Sequence, residues 1–179
     1  MKKILEKTLY SLGTNFSFYD MPQELDYLEK NLPNSFRFRE VIDIGCGDGS
    51  VTLKLKKILE PKTIKGIDSS ERLIRSAIKK NIIAEILDVE DQKIQGDLGI
   101  LWGVLHHFKD PVKTMKKIKN SFRSLIIREP VNKKRIFELG HRMNKEKLLE
   151  VISKAGIDIR QCKIIDLAKT KGLVVFVGL

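Results

Sequence analysis

From residue 40 onward, short β-branched runs alternate with charged segments whose apolar residues recur every three or four positions. The runs EVIDI (40–44), TIKGID (63–68), IIAEILD (82–88), LGILWG (98–103) and RSLIIRE (123–129) are bounded by Gly, Asp or Pro and predict strands. Between the first two, Val51, Leu53, Leu55, Ile58 and Leu59 form an apolar side opposite Lys54, Lys56 and Lys57. A second amphipathic stretch sets Leu73, Ile74, Ala77 and Ile78 against Arg72, Arg75, Lys79 and Lys80, and a third runs from Pro111 to about Asn120 with Val112, Met115 and Ile118 inward. A fourth helix is expected from an N-cap at Asn144, carrying Leu148, Leu149, Ile152 and Ala155, to a left-handed stop at Gly156. The last two runs, 157–167 and 173–179, leave no room for a helix between them and predict an antiparallel hairpin turning through Lys169–Gly172.

Repeated strand-helix units imply an α/β fold with a mostly parallel sheet and helices on both faces. Ligands of such sheets bind at the carboxyl ends of the strands, where the strand order reverses. The glycine cluster in VIDIGCGDGS (41–50) follows the first predicted strand and so falls at that point.

A strand, a glycine-rich turn and a helix N-terminus expose backbone N–H groups to a polar ligand. The order here is GxGxG (Gly45, Gly47, Gly49), whereas a dinucleotide fingerprint has a third glycine where this chain has Ser50. Asp68 ends the second strand, 19 residues past Gly49, where a carboxylate can accept from a ribose diol; Asp88 ends the third, another 20 residues on. With Asp43, three acids end three successive strands. Cys46, between two of the glycines, reads as a small packing residue.

The segments VIDIGCGDGS, GIDSS (66–70), ILDVED (86–91), GDLGILWGVLHHFKDP (96–111) and NKEKLLEVISKAGIDI (144–159) resemble the class I S-adenosylmethionine-dependent methyltransferases, over residues 40 to the end. The resemblance implies a Rossmann-like seven-stranded sheet of order 3-2-1-4-5-7-6 with the last strand antiparallel, and S-adenosylmethionine as cofactor with S-adenosylhomocysteine as product. It implies that Gly45, Gly47 and Gly49, with Cys46, line the methionine and ribose part, and that Asp43 supports the loop or reaches the amino group through water. Asp68, beside Ser69, would hold the ribose hydroxyls, Asp88 and the Val89 N–H the adenine, and the backbone of Leu101, Trp102 and Gly103 the methionine end. His106 and His107 are the candidate bases; the competing reading is an imidazole bonded to loop backbone. Glu129 either touches substrate or accepts from nearby N–H groups, and Trp102 either walls the methyl pocket or packs under the third helix. Where base-amine methyltransferases carry a D/N-P-P-Y/F motif, this chain reads Trp102-Gly103-Val104-Leu105, which argues against that chemistry. It also has NSFRS (120–124) where the family usually has a Pro-Gly-Gly turn, remote from the cofactor.

At 179 residues and 42% hydrophobic content, one domain with one core is expected. Residues 1–39 would form a lid, with a helix starting near Pro22 and Tyr19 as a cofactor contact, over a core of 40–179. No run approaches the ~18 apolar residues of a membrane span, and a soluble, cytoplasmic protein is expected. Cys46 and Cys162 lack the spacing of a zinc site, so no metal is expected.

Charge narrows the acceptor. The chain carries +11, and residues 109–147 alone hold 13 basic and 4 acidic side chains. Lys133, Lys134, Arg135, His141 and Arg142 fall in the connection leaving the fifth strand, which borders the substrate mouth, so an anionic small molecule or, alternatively, RNA is the expected acceptor. A nicotinamide-dependent dehydrogenase and a non-catalytic scaffold or partner subunit are the competing readings. The oligomeric state stays open.

Overall fold

The computed structural model describes residues 21–37, 39–131, 143–167 and 172–178. Tyr19, the 133–142 basic cluster and the tip of the last hairpin lie outside them. Seven strands form one sheet: β1 (Glu40–Ile44), β2 (Thr63–Asp68), β3 (Ile83–Ile86), β4 (Gly96–Trp102), β5 (Phe122–Pro130), β6 (Lys163–Leu167) and β7 (Gly172–Val177). Their order is β3-β2-β1-β4-β5-β7-β6. β1 to β5 pair in parallel, and β7 runs antiparallel to both neighbours. This is the expected Rossmann-like topology.

Among the described residues, five helices cover the sheet: α1 (Met21–Asn31), α2 (Ser50–Leu59), α3 (Glu71–Lys79), α4 (Pro111–Lys119) and α5 (Lys145–Lys154). Local chemistry starts and stops them. Asp110 and Asn144 cap α4 and α5 by accepting from the N–H of Lys113 and Lys147, and Gly156, at φ +86°, turns the chain after α5. Leu55, Ile58 and Leu59 of α2 pack with Leu25 and Leu28 of α1 on one sheet face. Met115 and Ile118 of α4 join Leu148, Val151 and Ile152 of α5 on the other.

Two expectations change. The run 157–167 is not one strand: Asp158 accepts from the Arg160 N–H and folds 159–161 into a 3₁₀ turn, so β6 starts only at Lys163. Of the expected 1–39 lid, residues 21–37 and 39 are described, and α1 with Phe36 packs as core, because Leu25, Leu28, Leu32 and Phe36 are buried and Phe36 meets Phe176 of β7 edge-on at 5.4 Å. The β3–β4 connection (87–95) contains no helix, and the edge strand keeps Ile83 and Ile86 exposed.

Candidate functional site

The β1 glycine loop is clamped to the end of β2. The N–H groups of Gly45 and Cys46 both donate to the Ile67 carbonyl, at 2.8 and 3.0 Å. Asp68 closes the clamp, with Oδ2 accepting from the Gly47 N–H at 3.0 Å and Oδ1 from the Ser70 N–H at 2.8 Å. Its own carbonyl accepts from the Leu87 N–H beyond β3, so the acidic ends of β1, β2 and β3 are held together by main-chain bonds. Gly45 has φ +70°, and a Cβ there would lie 2.3 Å from Val104 Cγ2, so no other residue fits between the loop and the β4 end. Gly49, also left-handed, is the α2 N-cap.

Asp43 is buried and accepts from the Thr52 hydroxyl at 2.6 Å. Burial pushes its carboxyl up to about 7; the Thr52 hydrogen bond opposes the rise and the charge of Asp68 adds to it. Burial likewise raises Asp68, against the Ser70 and Gly47 N–H groups, with Asp88 contributing repulsion. Burial also drives the Cys46 thiol far above its ordinary range, which fits packing rather than nucleophilic chemistry. On the other side of the loop, Lys80 Nζ reaches Asp48 at 2.5 Å and Ser50 Oγ at 2.6 Å, tying the α2 start to the end of α3.

These elements border a cleft of about 950 Å³, within the ~300–1,000 Å³ common for cofactor sites. Gly45, Asp68, Ser69, Asp88 and Val89 line it, with Ile44, Glu90, Val104, His107 and Phe108. Asp88 accepts from the Glu90 N–H at 2.9 Å, which shapes the β3 exit into a tight turn around Val89. A smaller groove of about 310 Å³ along α3 contains none of the loop residues.

The two histidines separate. His107 lines the cleft, whereas His106 turns its Nδ1 to Glu129 Oε2 at 2.6 Å. The other Glu129 oxygen accepts from the Leu105 N–H at 2.7 Å, and that carboxylate is fully buried. The two imidazole centroids lie 4.0 Å apart with the rings tilted by 41°. Glu129 thus anchors the loop after β4.

Trp102 is not among the cleft-lining residues. It alternates with Leu98 and Ile100 onto the α1/α2 face, and the Arg128 guanidinium sits over its ring at 5.7 Å. Arg128 also pairs with Glu24 of α1 at 2.6 Å, both side chains buried. Sequence reading missed Thr52, Phe108 and the Glu24–Arg128 and His106–Glu129 pairs. A hydroxyl in the first turn after a glycine loop was the available signal for Thr52. The two pairs join residues 104 and 23 positions apart and leave no local trace. Among the described residues no group of three His, Cys, Asp or Glu could hold a metal.

The strand order, the antiparallel β7 and a ligand cleft at the β1–β4 switch point are those of the class I S-adenosylmethionine-dependent methyltransferases. The family profile described as methyltransferase domain matches residues 16–154, and the chain belongs to that family. It is similar to the tRNA U34 carboxymethyltransferase of Campylobacter fetus subsp. fetus (strain 82-40), 39% identical over 90 residues, 45% of this chain and 32% of that protein. It is also similar to the 7SK snRNA methylphosphate capping enzyme of Homo sapiens, 39% identical over 70 residues, 37% of this chain and 10% of that protein. The chain therefore spans a third or less of these two relatives. In structure it resembles a SAM-dependent methyltransferase from Aquifex aeolicus, with a TM-score of 0.65 at 18% identity, covering 87% of this chain and 97% of that one.

Proposed function

We propose that the protein transfers a methyl group from S-adenosylmethionine to an anionic acceptor. The observation that carries this reading is the meeting of Gly45, Asp68, Asp88 and His107 in one cleft. The residues fit the cofactor: Gly45 and Asp68 border the same cleft, and each Asp68 oxygen accepts one N–H, leaving lone pairs for a ribose diol. Asp88 and the Val89 backbone suit the adenine. When bound, the cofactor supplies an electrophilic methyl on a positively charged sulfur. Burial raises both Asp43 and Asp68, with the charge of Asp68 adding to the first and that of Asp88 to the second, so a cationic ligand relieves an existing electrostatic cost. Displacement at a methyl group needs alignment and exclusion of water more than acid-base apparatus. His107 lines the cleft and, as an imidazole, is suited to accept the acceptor's proton, while His106 and Glu129 hold its loop.

Calorimetry with S-adenosylmethionine, S-adenosylhomocysteine and NAD tests the cofactor. Binding of the first two and not NAD is expected; NAD binding alone would return the dehydrogenase.

An RNA acceptor is the second reading, favoured by the tRNA- and snRNA-modifying relatives and by the basic 109–147 window. Methyl-labelled cofactor incubated with bulk tRNA distinguishes it from a small anionic acceptor. In either case, reversing Lys133, Lys134 and Arg135 to Glu should raise the apparent KM for the acceptor, most at low salt, with cofactor affinity unchanged.

A further inference from the structure

The loop that carries His107 is held at both ends by carboxylates from beyond other strands. At its start, Glu129 of β5 accepts from the Leu105 N–H at 2.7 Å and meets His106 Nδ1 at 2.6 Å. At its end, Glu90 Oε1 accepts from the Lys109 N–H at 3.0 Å, with the Thr114 hydroxyl 3.5 Å away, and Lys117 Nζ of α4 donates to the Glu90 carbonyl at 3.1 Å. Helix capping does not account for the Glu90–Lys109 bond, because Asp110 already serves as the α4 N-cap by accepting from the Lys113 N–H. Glu90 belongs to the turn beyond β3, which is closed by its own bonds: the Asp88 carboxylate accepts from the Glu90 N–H, and the Asp88 carbonyl from the N–H groups of Asp91 and Gln92. Val89 of that turn is buried in one apolar cluster with Leu105 and Phe108. Asp88, Val89, Glu90, His107 and Phe108 all line the cleft. The bond from Glu90 to Lys109 thus joins one cleft-lining segment to the other, 19 residues on.

We propose that Glu90 is a positioning residue for His107: its carboxylate fastens the loop to the 88–92 turn, so that a ligand seated on the turn also orders the imidazole. The inference rests on the S-adenosylmethionine reading, in which the adenine meets Asp88 and Val89. A charged acceptor makes the stronger kind of bond to a backbone N–H. This one is exposed to water, so in the free protein it holds the loop weakly. A ligand that orders one of two bonded segments lowers the entropic cost of ordering the other. Glu129 cannot supply this link, because it reaches the loop from β5 and has no printed bond to the turn that faces the adenine.

The test needs no acceptor: hydrogen exchange of the full chain is followed with and without saturating S-adenosylhomocysteine, alongside calorimetry with the same ligand. In wild type the ligand should slow exchange at 86–92 and also at 104–109, the latter by about tenfold, the lower end for a hydrogen bond to a charged group. Glu90→Ala should bind S-adenosylhomocysteine within about threefold of wild type and keep the slowing at 86–92, but lose most of it at 104–109. Glu90→Gln retains a side-chain oxygen for the Lys109 N–H and should restore at least half of the lost protection. Exchange in α4 should be alike in all three proteins, since Asp110 caps that helix unaided. Full ligand protection of 104–109 in Glu90→Ala overturns the proposal, as does a Glu90→Gln variant no better than Ala. A parallel loss of ligand affinity and of protection in both segments makes Glu90 a ligand contact or a folding residue, and overturns it too. If wild type shows neither binding heat nor protection, the S-adenosylmethionine reading itself fails; binding with protection at 86–92 alone defeats only the role of Glu90.

Discussion

Replacing Asp43 by Asn should stabilise the protein, and increasingly so as the pH rises. The carboxyl is fully enclosed, and its folded value of about 7 stands against 3.8 in an exposed chain. The folded state therefore holds a proton that the unfolded chain releases. Stability from this group is complete below pH 3.8, declines as the pH rises toward 7, and is gone above it. Each unit corresponds to 1.36 kcal/mol, so the wild-type protein at pH 8 carries a cost of about 4 kcal/mol for an ionised Asp43, of which about 3 kcal/mol accrues between pH 5 and 7. Asparagine occupies the same volume, can still accept from the Thr52 hydroxyl, and has no proton to lose. Urea unfolding of wild type and Asp43→Asn at pH 5 and pH 8 should show the difference in stability growing by about 3 kcal/mol, and melting temperatures should diverge further by roughly 6–12 °C for a domain of this size. The variant should also bind S-adenosylmethionine less tightly, since the enclosed carboxylate favours a cation. Parallel stability curves across this pH range would refute the assignment of the raised carboxyl to Asp43.

Asp68→Ala removes the acceptor for Gly47 and Ser70 and for the ribose, and should weaken S-adenosylhomocysteine at least about tenfold in calorimetry, at roughly 1.5–3 kcal/mol per charged hydrogen bond. His107→Asn should lower turnover with S-adenosylhomocysteine affinity nearly intact, and equal turnover would leave the ring a loop-packing group. Gly45→Ala combines an αL backbone, costing about 1–2 kcal/mol, with the Val104 overlap; Val104→Ala should recover part of the loss in a denaturation series.

β1 and β2 have the boundaries their sequence implies, because β-branched runs closed by Gly or Asp leave little choice of register. The three strand-end acids were legible for the same reason: a strand end after a fixed crossover length determines where a carboxylate goes. Trp102 shows what a run can conceal. Its alternation with Leu98 and Ile100 directs it away from the cleft, a period-2 argument available in the sequence but outweighed by its nearness to Gly103. The split between His106 and His107 could not be read, since it depends on Glu129 of β5 lying beside the β4 exit, a product of sheet pairing. Nor could the late start of β6, which one Asp158 side chain decides locally by folding 159–161 into a 3₁₀ turn.

The docking of α1 has a consequence for the order of folding. Its partners arrive late: Glu24 waits for Arg128, 104 residues on, and Asn31 for Lys163, 132 residues on. Phe36 meets its edge-on partner only when β7 has slid between β5 and β6. Contacts at such separation carry a large loop-closure cost and form after the local strand-helix units. On the ribosome the helix made first among these elements is thus secured in stages: Leu25 and Leu28 meet α2 early, whereas Glu24 and Phe36 wait for β5 and β7. A slow phase in which α1 gains protection from hydrogen exchange together with β7, and after β1 and β2, is the kinetic signature of that wiring.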